Sequence, residues 1–370
     1  MKLLMVGDNL DISGITSVIL NYALFQNCEQ LDISIATGSP QKDNYVKQLN
    51  EKNIKVYLLP KRKKHPIKYR KQLKKIIKAN NFDIVHVHGN SATMVLELSV
   101  AKKCGVKVRI AHCHNSKCGS LIRHKLLLPF FKKSYTHAFA CSKLAGDWIF
   151  GEGTFEVLNN GINTNRYKFD LQSRNNERIE LGVENDIVIG HIGLFNDQKN
   201  HSFLLDVFEQ LVLIKSNVKL LLVGSGQNFD LVKARVDSSG YKDKVIFAGV
   251  SDKIPQMLSA MDVLVLPSKF EGLPVVLIEG QASGLICMTS DCVTTEANIT
   301  GNVDFLPLSV SEWAKKLSEV KQFDAALRAN VSAESILKIK KANYDIQENC
   351  KALTSLYEKY LDESDNKNRA

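Results

Sequence analysis

The stretch DVLVLPSKFEGLPVVLIEGQASG, residues 262–284, joins an apolar run, a turn and a second apolar run in direct succession. The first run ends at Leu266, and a turn follows it. Gly272 lets the backbone approach a ligand closely, and Pro274 suits the first position of a helix. The stretch therefore predicts a buried strand, a turn and a helix. The free N–H groups from Gly272 to Val276 predict a phosphate site at the start of that helix.

Two glutamates accompany this predicted phosphate site. Glu271 lies in the turn before the helix, and Glu279 lies within the helix. Carboxylates repel a phosphate, so their presence favours a ligand that also carries hydroxyl groups, as a sugar does. A strand, turn and helix with two surface glutamates is the alternative interpretation.

The rest of the chain repeats the alternation of apolar strands and longer helical segments, which predicts parallel sheets covered on both faces. The strands predicted are Leu3–Val6, Ile33–Ala36, Val56–Leu59, Ile84–Val87, Val106–Ala111, Ala138–Ala140, Val188–Ile192, Lys219–Val223, Val245–Phe247, Val263–Leu266 and Leu285–Thr289. The helices predicted are Gly14–Phe25, Asp43–Asn50, Pro66–Asn80, Ala92–Lys103, His201–Ile214, Phe229–Ser238, Ile254–Met261 and Pro274–Ala282, with one or two more in Ser332–Leu361.

Length and composition agree with two domains of a soluble protein. The chain has 370 residues, of which 44% are hydrophobic and 24% charged, as in ordinary globular proteins. We expect a linker in Gly151–Gly161, and hence domains over residues 1–155 and 156–340, with a C-terminal helix over 341–370 that packs back on the first domain. No apolar run is long enough to span a bilayer. The apolar run at the start of the sequence is too short, before the first polar residues, for a signal peptide.

The eight cysteines include no C-x-x-C pair, which argues against a zinc ribbon or a thioredoxin motif. Cys113 and Cys118, beside His112 and His114, lack the spacing of a tetrahedral metal site. We therefore expect no metal and a reducing, cytoplasmic location.

Positive charge is concentrated in the first half. Residues 1–155 have a balance of +15 and residues 156–370 a balance of −5, and Lys61–Lys78 holds ten Lys or Arg and no acid. A solvated face, an anionic membrane surface or a phosphate-bearing partner would each account for this run. Nucleic acid is not expected, because no nucleic-acid-binding motif accompanies the charge.

The residues 262–284 resemble the E-x7-E signature of glycosyltransferase family 4, a group of retaining enzymes with the GT-B fold. Other segments resemble further marks of the family, in the same order along nearly the whole chain. These are Ser13-Gly14, residues 83–88 (DIVHVH), residues 112–115 (HCHN), residues 160–163 (NGIN), Gly193-Leu194-Phe195 with residues 198–200 (QKN), residues 223–226 (VGSG), and residues 344–357. The last of these is similar to the C-terminal helix of the exopolysaccharide and capsule branch.

The resemblance implies two Rossmann-like domains that face a central cleft, and it implies roles for single residues. His114, Glu271 and Lys199 are the expected catalytic residues: His114 near the reacting carbon, Glu271 on donor-sugar hydroxyls and Lys199 on the donor diphosphate. Glu279 would hold the ribose. The remaining donor-binding residues are expected to be Gly14, Gly193, Ser225, Gly226, Gly272, Leu273, Pro274 and Val275.

The implied activity is hexosyl transfer, with retention of configuration, from a nucleotide-sugar that is expected to be UDP-linked, to a polysaccharide precursor built on a lipid diphosphate. No D-x-D sequence occurs, so we expect no metal requirement, and the nucleotide-sugar is a substrate, so we expect no cofactor. With an acceptor of this kind, we expect a cytoplasmic protein that binds peripherally at the inner face of the cell membrane.

One departure from the family pattern keeps other functions open. The family usually has Arg after the glycine at position 193, where this chain has Leu194, and a cation there would stabilise the leaving diphosphate. A non-catalytic GT-B protein that partners an active transferase is therefore one alternative. A GT-B sugar-nucleotide epimerase, which needs no acceptor, is a further alternative, and the E-x7-E string argues against it.

Overall fold

The computed structural model describes residues 1–7, 14–26, 30–38, 43–115, 118–151, 155–322 and 324–367. The chain divides into a first unit, Met1–Gly161 with Asn343–Ala370, and a second unit, Ile162–Ala342. The predicted boundary after residue 155 lies six residues before the one in the structure. The C-terminal residues belong to the first unit, which is therefore built from two separate stretches of the chain.

The first unit contains a seven-stranded parallel sheet in the order β3-β2-β1-β4-β5-β6-β7. The strand order reverses between β1 and β4, as in a doubly wound Rossmann-like sheet. The strands are β1 (Lys2–Gly7), β2 (Asp32–Thr37), β3 (Lys55–Leu58), β4 (Ile84–Gly89), β5 (Val108–Cys113), β6 (His137–Ala140) and β7 (Glu156–Val157).

The second unit contains a six-stranded parallel sheet in the order β10-β9-β8-β11-β12-β13. Its strand order is the same as that of the first unit, with the reversal between β8 and β11. The strands are β8 (Ile187–Ile192), β9 (Val218–Val223), β10 (Val245–Gly249), β11 (Val263–Leu266), β12 (Ile286–Ser290) and β13 (Val303–Leu306).

Helices cover both faces of each sheet. Those of the first unit are α1 (Gly14–Phe25), α2 (Asp43–Glu51), α3 (Pro66–Asn80), α4 (Val95–Lys103), α5 (Leu121–Lys132), α6 (Lys143–Ile149) and, from the end of the chain, α14 (Ile346–Lys367). Those of the second unit are α7 (Leu171–Leu181), α8 (His201–Ile214), α9 (Phe229–Asp237), α10 (Ile254–Ala260), α11 (Val275–Ala282), α12 (Val310–Ser318) and α13 (Ala325–Lys341). Short 3-10 helices span Ala92–Met94, Lys242–Lys244 and Thr295–Ala297.

The first sheet has a separate apolar core on each face. One core receives α3, α4 and α5 through side chains such as Leu73, Leu98 and Phe131. The other receives α1 and α14, and Leu353 and Tyr357 of α14 are fully buried there. The last helix is therefore part of the first unit's interior.

Some elements differ from those predicted. The stretch expected to be a linker, residues 151–161, contains β7. Two residues named in the sequence analysis or counted there, Ser13 and Cys28, lie outside the described residues. The segment Ser332–Leu361, predicted to hold one or two helices, holds parts of two, α13 and α14, with a turn between them where Asn343 has a φ of 61°. An asparagine tolerates this left-handed conformation better than other side chains do.

Candidate active site

The candidate donor-binding residues of the second unit follow the carboxyl ends of β8, β9 and β11. Of these strands, β8 and β11 are neighbours at the point where the strand order reverses, which is where open parallel sheets bind ligands. Gly193 follows β8 directly, and Glu271 lies in the loop after β11. The fold thus brings two sequence-distant motifs to one edge of the sheet.

Lys199 and Glu271 form an ion pair at this edge. The Lys199 Nζ atom lies 2.6 Å from Glu271 Oε1, and the two side chains are only 16% and 10% exposed. Gln198 Nε2 donates to the other carboxylate oxygen, at 3.1 Å, and to the Phe270 carbonyl, at 3.0 Å. Both oxygens of Glu271 are therefore engaged, and the charge of Lys199 is balanced by Glu271.

Glycines allow two loops to pack backbone against backbone beside this ion pair. A Cβ atom on Gly224 would lie 2.0 Å from the Gly193 carbonyl oxygen, and one on Gly226 would lie 2.5 Å from the Phe195 carbonyl oxygen. The Phe195 N–H donates to the Ser225 carbonyl at 2.9 Å. The V-G-S-G loop thus supports the turn that follows β8. Gly226 is exposed, and Ser225 is half-exposed.

The helix α11 begins at Val275, with Pro274 as its N-cap. Gly272, Leu273 and Pro274 are buried, and Val275 is half-buried. Pro274 has no N–H, so the row of donors predicted from Gly272 to Val276 is interrupted at this residue. The other four residues of the row carry a backbone donor at the start of the helix.

Glu279 lies in the second turn of α11, with neighbours that sequence reasoning did not assign. Burial raises the pKa of Glu279, whereas a hydrogen bond from Tyr167 and the charge of Arg166 lower it. Tyr167 and Arg166 follow the N-G-I-N segment, far from Glu279 in sequence. The composition of that segment gave no sign of this contact.

His114 lies in the first unit, directly after β5. It is buried together with His86, His88 and His112 of β4 and β5, and burial lowers the pKa of His114 to about 3. Gly14 is also in the first unit, as the first residue of α1. Residues 8–13, which precede Gly14 in the sequence and include Ser13, lie outside the described residues.

Among the described residues, one group of side chains has the composition of a metal site. Nitrogen atoms of His86, His88 and His112 lie within 4.8 Å of one another, and all three residues are buried. Two of the three rings already share a hydrogen bond, because His86 Nε2 lies 3.1 Å from His112 Nδ1. Cys113 belongs to no such group there, and burial raises the pKa of its thiol to about 12, which disfavours the thiolate that a metal requires.

Two family profiles match the chain, one on each half. The family described as Glycosyltransferase Family 4 matches residues 12–166, and the family described as Glycosyl transferases group 1 matches residues 173–328. These two ranges include every candidate site residue given above.

Curated relatives and solved structures extend the similarity over most of the chain. The putative glycosyltransferase EpsF of Bacillus subtilis is 32% identical over 310 residues, which are 79% of this chain and 79% of that protein. The UDP-Gal:alpha-D-GlcNAc-diphosphoundecaprenol alpha-1,3-galactosyltransferase of Escherichia coli is 26% identical over 287 residues, 73% of this chain and 72% of that protein.

The crystal structure of HepE from Anabaena in complex with UDP has a TM-score of 0.78 at 16% identity, covering 97% of this chain and all of that one. That structure has the fold of a GT-B glycosyltransferase, and its two-sheet architecture is shared here. The two family matches, the relative at 32% identity and the two doubly wound sheets agree with one another. The chain belongs to glycosyltransferase family 4, and it is a glycosyltransferase with the GT-B fold.

Proposed function

We propose that the protein transfers a hexose from a UDP-sugar, with retention of configuration and without a metal ion, to a glycan acceptor carried on a lipid diphosphate. The reaction takes place at the cytoplasmic face of a membrane. In this proposal Lys199 binds the donor diphosphate, Glu271 binds sugar hydroxyls and Glu279 binds the ribose. Gly193, Ser225, Gly226 and residues 272–275 line the donor site with Gly14, and His114 lies near the reacting carbon.

The ion pair between Lys199 and Glu271 carries this proposal. The lysine lies at the end of the strands, where a ligand would bind, and its partner is a carboxylate. A diphosphate is also negatively charged, so it can replace the carboxylate as the partner of the lysine. The carboxylate that is released can then accept hydrogen bonds from hydroxyl groups. A donor that joins a diphosphate to a sugar offers both partners at once, so it suits the pair better than either part alone.

The names of two similar proteins support the choice of substrates. The Escherichia coli relative is named as a transferase that uses UDP-galactose and an acceptor linked to diphosphoundecaprenol, and the Anabaena structure contains UDP. We extend a UDP-linked donor and a lipid-diphosphate acceptor to this chain on that basis.

The direct test is turnover by the purified chain. UDP-glucose, UDP-galactose and UDP-N-acetylglucosamine are screened first by the rise in Tm that a ligand specific for the native state produces. Each hit is then incubated with N-acetylglucosaminyl-diphosphoundecaprenol. We expect one product with the donor's anomeric configuration, seen by NMR, and unchanged activity in EDTA. Loss of activity in EDTA that magnesium or manganese restores would contradict the metal-independent mechanism.

The variant Glu279→Ala tests the ribose assignment. A ribose contact exists in the ground state and in the transition state alike, so its loss weakens binding more than it slows a saturated reaction. We expect a donor KM about tenfold higher with kcat changed less than twofold. An unchanged KM would show that Glu279 does not bind the donor.

Leu194 favours a second function, that of a non-catalytic partner of an active transferase. Lys199 would then be without the second cation that helps the diphosphate to leave. The two functions give different results in the same assay. If the purified chain binds a UDP-sugar but neither transfers the sugar nor hydrolyses the donor, the result supports the partner function.

The surface of the first unit supports a location at an anionic membrane. Apolar side chains of α3, including Leu73 and Ile77, are core. On α5, in contrast, Ile122, Leu126 and Phe130 are 76%, 69% and 65% exposed. They are four residues apart and so lie on one face. No acid occurs between Glu97 and Asp147 in the sequence, and the charged residues within α5 and next to it are all bases: Arg123, Lys125, Lys132 and Lys133.

Vesicle sedimentation tests the membrane surface. We expect binding to vesicles with anionic lipid, weaker at high salt, and loss of binding when Ile122, Leu126 and Phe130 are changed to Ser. Changing Lys61, Lys63 and Lys64 to Ser tests the basic run. Arg62 is kept, because it pairs with the buried Glu97 at 3.1 Å.

The matched control for the α5 variant changes Leu213 and Ile214 to Ser. Both are exposed apolar residues, on α8 of the second unit, and their replacement should leave vesicle binding intact. Equal recovery of the unmodified protein in the supernatant with anionic and neutral vesicles at low salt would contradict the membrane proposal. No helix among the described residues is both long and apolar enough to cross a bilayer.

A further inference from the structure

Gln198 joins the loop that follows β8 to the loop that follows β11. Its backbone carbonyl accepts from the Lys269 N–H at 2.9 Å. Its side-chain nitrogen donates to the Phe270 carbonyl at 3.0 Å and to Glu271 Oε2 at 3.1 Å. Three successive residues of the second loop are therefore bonded to one residue of the first.

These bonds lie beyond the part of the sheet in which the two strands pair. The register of β8 and β11 covers two positions, Ile189 with Val263 and Gly190 with Leu264. Past these positions the chain continues into the two loops, and sheet pairing no longer sets the distance between them. The bonds of Gln198 therefore contribute directly to the geometry of the loop after β11.

The neighbours of the Gln198 side chain fix the orientation of its amide. Both atoms within reach of its nitrogen, a carbonyl oxygen and a carboxylate oxygen, are acceptors. An amide oxygen in that place would make neither bond, whereas the amide nitrogen carries two hydrogens and can make both. Gln198 is therefore a double donor, with one hydrogen for each of its two partners.

Glu271 has one charged and one neutral partner. Its Oε1 atom lies 2.6 Å from Lys199 Nζ, and its Oε2 atom accepts from Gln198. A diphosphate attracts the ammonium group of Lys199 far more strongly than it attracts a neutral amide. When Lys199 turns to a diphosphate, Oε1 loses its partner, whereas Oε2 keeps the hydrogen bond from Gln198.

The local structure allows Lys199 to make this turn while its backbone stays in place. The Lys199 N–H donates to Asn196 Oδ1 at 3.0 Å, which anchors the backbone. The side chain passes over Gly193, where a Cβ atom would lie 3.2 Å from the Lys199 Cδ and Cε atoms. Because the four-carbon stem of a lysine is flexible and position 193 has no side chain, the ammonium group can change partners.

We propose that Gln198 is a positioning residue, which holds Glu271 by Oε2 after Lys199 has left, so that Oε1 is presented to a hydroxyl group of the donor sugar. This role rests on the proposed function, because it needs a donor that joins a diphosphate to a sugar. Without Gln198 the released carboxylate would rotate, and ordering it again would cost part of the binding free energy. UDP has no sugar hydroxyl for Glu271, so Gln198 contributes more to the binding of the UDP-sugar than to that of UDP.

The variant Gln198→Met tests this role, since it removes the amide and keeps the length of the side chain. The backbone bond from Lys269 is not affected. The ligands are UDP and whichever of UDP-glucose, UDP-galactose and UDP-N-acetylglucosamine raises the Tm most. By calorimetry, we expect the affinity for that UDP-sugar to fall about tenfold and the affinity for UDP to fall less than about threefold.

A double-mutant cycle separates positioning from a purely structural role. In a Glu271→Ala background there is no carboxylate to hold, so Gln198→Met should change the affinity for the UDP-sugar less than about twofold. If the side chain only fastened the loop through the Phe270 carbonyl, Gln198→Met would cause the same loss in both backgrounds. That result would overturn the positioning role.

Gln72→Met is the matched control. Gln72 is a half-buried glutamine of α3, in the first unit, and its side-chain nitrogen donates to the Leu58 carbonyl at 2.8 Å. This variant loses a hydrogen bond from a glutamine amide to a backbone carbonyl, as Gln198→Met does, but it has no carboxylate partner. We expect its affinities for UDP and for the UDP-sugar to be those of the unmodified protein.

The outcomes distinguish this role from the proposed function. An affinity for the UDP-sugar that Gln198→Met leaves unchanged overturns the positioning role alone. If the unmodified chain binds UDP but none of the three UDP-sugars, the positioning role and the proposed function both fail. If the chain shows the expected coupling between Gln198 and Glu271 but transfers no sugar, the proposed function fails and the positioning role stands.

Discussion

At the scale of single residues, the two expected donor ligands Lys199 and Glu271 bind each other. The sequence placed both at the site because each belongs to a short local motif. It could not show that they are partners, because β8 and β11 come together only in the folded sheet. Glu279 with Tyr167, and His114 with Asn160, are further pairs of this kind. Contacts between distant segments depend on topology, which local patterns do not encode.

The Lys199–Glu271 pair predicts that the replacement of Glu271 strengthens the binding of UDP and lowers the turnover of the UDP-sugar. In Glu271→Gln the ammonium group of Lys199 loses its partner, which is worth about 1 kcal/mol for a partly exposed pair. We expect UDP alone to bind about fivefold more tightly, by calorimetry, while turnover of the UDP-sugar falls. Glu180→Gln, which breaks the exposed pair with Lys253, should change neither. Weaker binding of UDP would show that Lys199 does not take the diphosphate.

The replacement of Leu194 by Arg restores the cation that the family usually has at this position. Leu194 is half-exposed beside Gly193. We expect Leu194→Arg to raise kcat or donor affinity, because a second cation stabilises the leaving diphosphate. Steady-state kinetics with the identified donor provide the measurement. A large loss of activity would show that another group already occupies this position.

At the scale of elements, those with a long and regular pattern were the best predicted. The bounds of α1 and α3 agree with those expected, and in α3 the buried side chains Tyr69, Leu73, Ile76 and Ile77 recur at helical spacing. The strands β7 and β13 were missed, because they are short and lie at the edges of their sheets. The helix α5 was not predicted either. Its exposed face is as apolar as its buried one, which removes the periodicity on which prediction relies.

The close contact between Gly161 and α14 predicts that a side chain at position 161 displaces this helix. A Cβ atom on Gly161 would lie 2.8 Å from the Ile346 Cα atom, so Gly161→Ala must displace the start of α14. We expect a loss of about 1–3 kcal/mol in the free energy of unfolding, measured by urea denaturation, and a lower kcat. Gly119→Ala is the control, because nothing lies within 4 Å of its Cβ position. Equal stability of the two variants would contradict the contact.

At the scale of the whole molecule, the buried neutral histidines predict sensitivity to acid in both units. Burial lowers the pKa of His201, in the second unit, to about 4, so the unfolded chain binds a proton that the folded chain does not. Stability is then lost as the pH falls below about 6.5, by roughly 1.4 kcal/mol per pH unit for each such histidine. His86 and His114 have the same effect in the first unit.

His201→Phe tests this acid effect. Neither ring nitrogen of His201 has a hydrogen-bond partner among the described residues, and the ring stacks on Phe195 at 4.0 Å. In a Trp148→Phe background, Trp313 reports on the second unit alone by fluorescence. We expect the loss of stability between pH 6.5 and 5 to be smaller by about 2 kcal/mol in His201→Phe. An unchanged loss would show that His201 is charged in the folded state.

The position of α14 in the interior of the first unit has a consequence for biosynthesis. The residues that complete this core leave the ribosome roughly 180 residues after Gly161, a delay of about 10–40 s at about 5–20 residues per second. During that time the surface that Ile346, Leu353 and Tyr357 will cover is exposed, while the whole of the second unit is made. The nascent first unit should therefore bind chaperones until α14 has been made, and the second unit should be the first to become resistant to proteases.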